Sequence, residues 1–172
     1  MAEPSQDAPT VLSAFLARFE GPLLRYAQRL VGDAEIARDV VQDTFVRAMD
    51  HDLTNRTGFA PAWLFAVCRN RAFDVLRKEG RMTHAGELLL DARPAPTPPP
   101  EAPLTARDEL STTLRALEQL PADQQEVVRL KFQAGLSYRD IAATTGHSVT
   151  NVGFLIHTAL KSIRERCKGD QW

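Results

Sequence analysis

Six of the eleven prolines in this 172-residue chain fall within residues 93–103, which read RPAPTPPPEAP. Because proline fixes φ and has no backbone N–H, such a stretch cannot lie inside a helix and favours an extended, solvated chain. The surrounding residues 86–113 are acidic, with five Asp or Glu side chains against two Arg. We therefore predict two small domains, residues 10–82 and 106–168, joined by an acidic, flexible, proline-rich linker at residues 83–105.

The apolar residues on both sides of the linker recur with the period of an amphipathic helix, and no alternating strand pattern occurs. The first such face is formed by Leu12, Phe15, Leu16 and Phe19. We expect the pair Gly21–Pro22 to interrupt this helix, and the same period to resume from Leu23. Gly32 is expected to end that second helix, and Asp33 to cap the next one. These patterns predict an all-α fold.

The net charge of −1 comes from 21 basic and 22 acidic residues, whereas a free-standing nucleic-acid binder usually has a strong basic excess. The basic residues are nevertheless concentrated at residues 69–81 and 161–168. This distribution is typical of a protein whose affinity for DNA depends on a partner.

Several classes of function are disfavoured. No run of eighteen apolar residues is present, and residues 1–9 lack the positive start of a secretory signal, so we expect a cytoplasmic protein without membrane insertion. Cys68 and Cys167 form no CxxC pair, so we predict neither a disulfide nor a metal site, and Cys68 is expected to be a core residue. No nucleophile–base set or phosphate-binding loop occurs, so we predict no catalytic residue, no cofactor and no enzyme activity.

Residues 137–163 have the layout of a helix-turn-helix. Ser137 and Asp140 are spaced as a capping box for a short helix that Gly146 ends, and Ser148 is placed to cap a longer helix. The residues expected to pack between the two helices are Ile141, Ala142, Val149, Val152, Ile156 and Ala159. In this motif the second helix enters the major groove, and its first residues meet base edges. The candidate DNA contacts are Arg139, His147, Ser148, Thr150, Asn151 and Lys161. A plain helical hairpin would have the same pattern.

Two helices of the N-terminal part carry further candidate sites. Asp39 and Asp43 lie on the acidic side of a helix at residues 34–49, which is either a solvated face or a docking surface for a basic partner helix. A second helix, at residues 61–78, has one apolar face and one face of aromatic, amide and basic side chains. The second face contains Trp63, Ala66, Asn70, Phe73 and Arg77. This combination suits an unstacked base, although the two aromatic residues would equally suit a core.

Three parts of the chain resemble extracytoplasmic-function sigma factors of the sigma-70 type, in the order that this family has them. Residues 39–48 (DVVQDTFVRA) resemble the polymerase-docking segment, and residues 63–72 (WLFAVCRNRA) resemble the promoter-melting segment. Residues 117–121 (LEQLP) and 135–142 (GLSYRDIA) resemble the start of the C-terminal DNA-binding domain. The resemblance implies a sigma factor that directs core RNA polymerase to promoters.

The resemblance also implies roles for individual residues. Polymerase docking would use Asp39, Gln42, Asp43, Phe45 and Arg47. Contacts with the minus-ten element would use Trp63, Arg69, Asn70, Arg71, Phe73, Arg77 and Lys78. Asn70 would contact a flipped base, in a pocket shaped by residues 53–58. Binding of the minus-thirty-five element would use Arg139, His147, Ser148, Thr150, Asn151 and Lys161. The implied partners are core RNA polymerase, promoter DNA and an anti-sigma factor.

The last helix departs from the family pattern. Positions that are commonly basic are occupied here by Gly153, Leu155, Thr158 and Leu160. Fewer phosphate contacts predict weaker and less salt-dependent duplex binding. Phe154 and Leu155 would then contact either another protein or a thymine methyl group. Two other functions stay open: a helix-turn-helix repressor that acts without polymerase, and a sigma-like decoy that binds a regulatory protein.

Overall fold

The computed structural model describes residues 8–50, 61–80 and 112–169. Within these ranges every regular element is an α-helix, as predicted, and the chain forms two compact units, Met1–Leu89 and Leu90–Trp172. The predicted linker at residues 83–105 and the predicted pocket loop at residues 53–58 lie outside the described residues. The domain boundaries at residues 10–82 and 106–168 therefore stay predictions.

The first unit contains three helices that each contact the other two: α1 (Ala8–Val31), α2 (Ala34–Asp50) and α3 (Pro61–Lys78). Their shared core is centred on Phe65, whose ring meets those of Phe19 and Tyr26 edge to face, with centroids 6.5 and 5.4 Å apart. The residues predicted on the apolar face of α3 were Leu64, Cys68, Ala72, Val75 and Leu76, and all are buried except Val75, which is partly buried. Phe65 is an additional core residue that the helical pattern did not single out.

The expected interruption at Gly21–Pro22 is wrong, because α1 continues through both residues to Val31. A proline inside a helix costs about 3 kcal/mol or more, since it removes one hydrogen bond and crowds the preceding turn. Phe19 and Leu23 are four residues apart and both buried, so one apolar face runs unbroken past the proline. Burial of the apolar residues after Pro22 offsets the cost of the proline, because each large apolar side chain contributes about 1.5–3 kcal/mol when it is buried.

The predicted junction between α1 and α2 is confirmed. Gly32 has a φ of 77°, and its N donates a hydrogen bond to Gln28 O at 2.8 Å. Asp33 Oδ1 accepts hydrogen bonds from Glu35 N at 2.8 Å and from Ile36 N at 3.0 Å. Glycine ends the first helix without strain, and the aspartate satisfies two backbone donors that the second helix would leave unpaired.

The second unit contains α4 (residues 112–118), α5 (Ala122–Phe132), α6 (Tyr138–Thr145) and α7 (Val149–Gly169). α7 packs against both α5 and α6. Its predicted inward residues Val152, Ile156 and Ala159 are buried, and Ala142 of α6 is only partly buried. The expectation that Val149 is packed is wrong, because this side chain is 45% exposed. Helical side chains lean toward the N-terminus, so at the first position of α7 the side chain extends past the end of the helix.

Candidate nucleic-acid and polymerase interfaces

The helix-turn-helix formed by α6 and α7 is held by caps at its junctions. Ser137 Oγ accepts a hydrogen bond from Asp140 N at 3.1 Å, and Ser137 N donates one to Asp140 Oδ2 at 3.2 Å, which confirms the capping box. α6 ends at Gly146, whose φ of 81° favours glycine. Ser148 Oγ accepts a hydrogen bond from Asn151 N at 3.1 Å and caps α7. These caps determine where α6 ends and where α7 begins, and packing of α7 against α5 and α6 determines which of its residues face outward.

The predicted minus-thirty-five residues fall into two groups. The exposed ones are Arg139, Ser148, Thr150, Asn151 and Lys161. His147 is only partly exposed: its Nδ1 lies 3.3 Å from Asn151 Nδ2, and its Nε2 lies 4.0 Å from Asp123 Oδ2 on α5. Ser148 caps the helix, and the side chains of His147 and Asn151 contact each other. Of the four predicted residues at the start of α7, Thr150 is therefore the best placed for contact with a base edge.

Phe154 and Leu155 were predicted to contact either a protein or a thymine methyl group. Phe154 is 64% exposed, opposite the inward line through Val152, Ile156 and Ala159, whereas Leu155 is partly buried. The neighbouring Gly153 packs beside Tyr138 of α6, where a Cβ on the glycine would lie 3.7 Å from the tyrosine ring. This separation is an ordinary van der Waals contact, so the tyrosine ring lies directly beside the glycine without requiring it.

The acidic face of α2 is divided by an ion pair. Arg71 Nε on α3 donates a hydrogen bond to Asp43 Oδ2 at 2.6 Å, with the two side chains 27% and 46% exposed respectively. Asp39, Gln42 and Arg47 are exposed, whereas Phe45 is partly buried. The structure thus brings together a residue predicted for polymerase docking and one predicted for DNA binding. Asp39 and Gln42 remain on the open part of the face.

The exposed side of α3 combines aromatic, amide and basic side chains. The guanidinium of Arg69 lies 4.3 Å from the centroid of the Phe73 ring, a cation–π arrangement that orders both groups. Asn70 is exposed beside them, and Arg77 donates a hydrogen bond to Asp74 at 2.8 Å. Lys78 is exposed and Trp63 is partly buried. This side of α3 therefore offers a planar stacking surface next to an amide that can bond a base edge.

The side of α3 that faces the core contains Cys68, which is buried as predicted. Burial raises the pKa of this thiol to about 12, and a hydrogen bond with Thr44 opposes part of the rise. Thr44 Oγ1 itself donates to Val40 O at 2.8 Å, so the hydroxyl is bonded within α2. Cys68 thus behaves as a neutral core residue beneath the surface that carries Asn70.

The described residues contain no group of three or more His, Cys, Asp or Glu side chains that could hold a metal ion. None of the described helices is both long enough and apolar enough to cross a bilayer. The chemistry that these residues offer is hydrogen bonding, stacking and charge, which are the means of reading nucleic acid and of docking on a protein.

Two helical units, one of them with a capped helix-turn-helix, define a DNA-binding protein of the helix-turn-helix class. The family model for Sigma-70 region 2 matches residues 15–82, and the model for Sigma-70, region 4 matches residues 111–163. The ECF RNA polymerase sigma factor SigL of Mycobacterium tuberculosis is 35% identical over 144 residues, which cover 83% of this chain and 80% of SigL. EcfG of Rhodopseudomonas palustris is 34% identical over 140 residues, which cover 80% of this chain and 75% of EcfG.

A solved structure is similar over nearly the whole chain. It is the co-crystal structure of the sigma factor RpoE in complex with the anti-sigma factor NepR from Bartonella quintana. Its TM-score is 0.63 at 28% identity, with 96% of this chain and 97% of the other chain covered. The chain belongs to the extracytoplasmic-function family of sigma-70-type sigma factors, as its sequence predicted. It is a sigma factor of RNA polymerase, and this family consists of transcription initiation factors rather than enzymes. A helix-turn-helix repressor would explain the match to region 4 but not the match to region 2.

Proposed function

We propose that this sigma factor docks on core RNA polymerase through the open face of α2, melts the minus-ten element with α3 and binds the minus-thirty-five element with α7. The proposed domains are residues 10–82 for docking and melting and residues 106–168 for duplex binding, with residues 83–105 as their linker. A protein with these partners acts in the cytoplasm.

The observation that carries this proposal is the outer side of α3. Asn70 is exposed next to the stacked Arg69–Phe73 pair, and Lys78 extends the basic character toward the end of the helix. Extruding a base costs a few kcal/mol, and stacking returns about 1–3 kcal/mol per base. The two terms nearly cancel, so α3 alone would hold an open promoter weakly. Docking on polymerase supplies the remaining free energy, which agrees with a chain of net charge −1.

Docking is assigned to Asp39 and Gln42 because both are exposed on α2, whereas Asp43 is paired with Arg71. Two acceptor side chains on one helix face suit a basic helical partner on polymerase. Asp39→Arg is therefore the sharper test of docking. A change at Asp43 would also remove the contact between α2 and α3.

An anti-sigma factor is a further proposed partner. Support comes from RpoE, which resembles this chain over 96% of its length and was solved together with the anti-sigma factor NepR. Binding of such a partner would keep the sigma factor from polymerase. Copurification from the native bacterium would identify it.

The decisive experiment is run-off transcription with purified core polymerase from the same bacterium on genomic fragments, with and without this protein. We expect new discrete transcripts that require both components and that disappear with Asp39→Arg. Core binding without any transcript would favour a sigma-like decoy. Binding of duplex DNA without core binding would favour a repressor.

A further inference from the structure

The outward face of α7 has one large apolar side chain surrounded by polar ones. Residues three or four apart share a helix face, so Phe154 is flanked by Thr150, Asn151, His157 and Thr158. Phe154 is 64% exposed, whereas Val152 and Ile156 on the opposite side are buried. No structural role in the core therefore accounts for this phenylalanine.

The charge of α7 indicates what kind of molecule covers this face. The single acidic residue of the helix is Glu165, near its end, and the exposed Lys161 and Arg164 lie closer to the phenylalanine. An anionic partner fits such a surface. The side chains that share the outward face with Phe154 are hydroxyl, amide and imidazole groups, which can bond base edges, and the exposed Tyr138 lies beside Gly153 rather than on this face. One apolar side chain among polar groups, with the basic residues further along the helix, matches the major groove, where the thymine methyl is the apolar group of the base edges.

The caps of α7 limit which of its residues can read bases. Ser148 Oγ is used to cap the helix, and His147 lies against Asn151 and Asp123. Contact with bases is thereby shifted toward Thr150 and Phe154.

We propose that Phe154 is a specificity-determining residue of α7 and contacts the 5-methyl group of a thymine in the upstream promoter element. The inference rests on the proposed function, in which α7 lies in the major groove of that element. An apolar contact would then supply part of the base recognition in a helix that lacks basic residues at positions where the family commonly has them.

The test replaces each thymine of the upstream element in turn by deoxyuridine, which lacks the methyl group alone. The promoter is one found by run-off transcription, and the readout is promoter occupancy by the holoenzyme. Burial of one methyl-sized group corresponds to about a fourfold change in affinity. We therefore expect one thymine whose replacement lowers the affinity of the holoenzyme, measured by titrating promoter occupancy, about fourfold for the wild-type protein and leaves it unchanged for Phe154→Ala.

Phe132→Ala is the matched control, because this phenylalanine is 61% exposed but lies at the end of α5. This variant should discriminate thymine from deoxyuridine as the wild type does. Discrimination that persists in Phe154→Ala, or that is absent at every position in the wild type, would overturn the inference. Reduced core binding by Phe154→Ala with unchanged discrimination would assign the residue to a protein contact instead. Absence of protein-dependent transcription from unmodified DNA would overturn the proposed function itself.

Discussion

Removing either partner of the Asp43–Arg71 ion pair should loosen the contact between α2 and α3. The pair joins residues 28 positions apart in sequence, with Arg71 Nε 2.6 Å from Asp43 Oδ2. Alanine at each position, and at both together, forms a double-mutant cycle that isolates the interaction between the two side chains. We expect Asp43→Ala to be the more destabilising single change, because it leaves a guanidinium that is only 27% exposed without its carboxylate.

The expected coupling energy follows from the burial of the two groups. Exposed ion pairs contribute about 0.2–1 kcal/mol, since water screens them and ordering long side chains costs entropy. This pair is partly buried and short, but Asp43 is 46% exposed, so we expect a value at the upper end of that range. A loss of about 1 kcal/mol lowers the Tm of a domain of 60–100 residues by about 4–8 °C. Because salt screens partly exposed charges, the coupling should shrink at about 1 M ionic strength.

The assay is urea unfolding of the full chain followed by tryptophan fluorescence. The chain has two tryptophans, Trp63 on α3 and Trp172 at the C-terminal end. In a Trp172→Phe background, the signal reports on the first unit alone. A coupling energy below about 0.3 kcal/mol would be within the additivity of independent sites and would refute the reasoning. Arg71 would then be available to a DNA phosphate, as the sequence predicted.

Three further predictions concern promoter opening, the helix-turn-helix and the buried thiol. Asn70→Ala should reduce open-complex formation, measured by the fluorescence of 2-aminopurine in the minus-ten element, while core binding stays normal; a parallel loss of core binding would contradict the assignment. Ser137→Ala should lower the free energy of unfolding of the second unit by about 1 kcal/mol in circular dichroism melts, and Ser137→Thr, which keeps the hydroxyl, should retain most of it. Burial raises the pKa of Cys68 from its ordinary value near 9 to about 12. Between these two pH values the thiol of the unfolded chain loses its proton, whereas the buried thiol of the folded protein keeps it. Stability should therefore fall by about 1.4 kcal/mol per pH unit across that window relative to Cys68→Ala, and equal slopes for the two proteins would contradict it.

The site residues show how sequence and structure contribute differently. Asp39, Asn70 and Thr150 were predicted from their helix faces, and all three are exposed. The same pattern could not indicate that Asp43 is paired with Arg71, because the two residues approach only when α2 packs against α3. Nor could it indicate that His147 lies against Asp123, which requires the first turn of α5 to lie beside the start of α7. In both cases a side chain predicted for function has a partner within the protein.

Local interactions explain why the ends of several helices could be predicted from the sequence alone. Asp33 caps α2, Ser137 and Asp140 form a capping box, and Gly146 ends α6, and each of these needs no more than a few neighbouring residues. Helical periodicity likewise located most of the buried faces. The course of α1 through Pro22 was decided by tertiary packing, because burial of the apolar face on both sides of the proline outweighs its local cost. Tertiary packing also decided three other features: the exposure of Phe154, the burial of Phe65 and the Asp43–Arg71 pair. Each depends on which helices lie side by side, and contacts between residues distant in the chain set that arrangement.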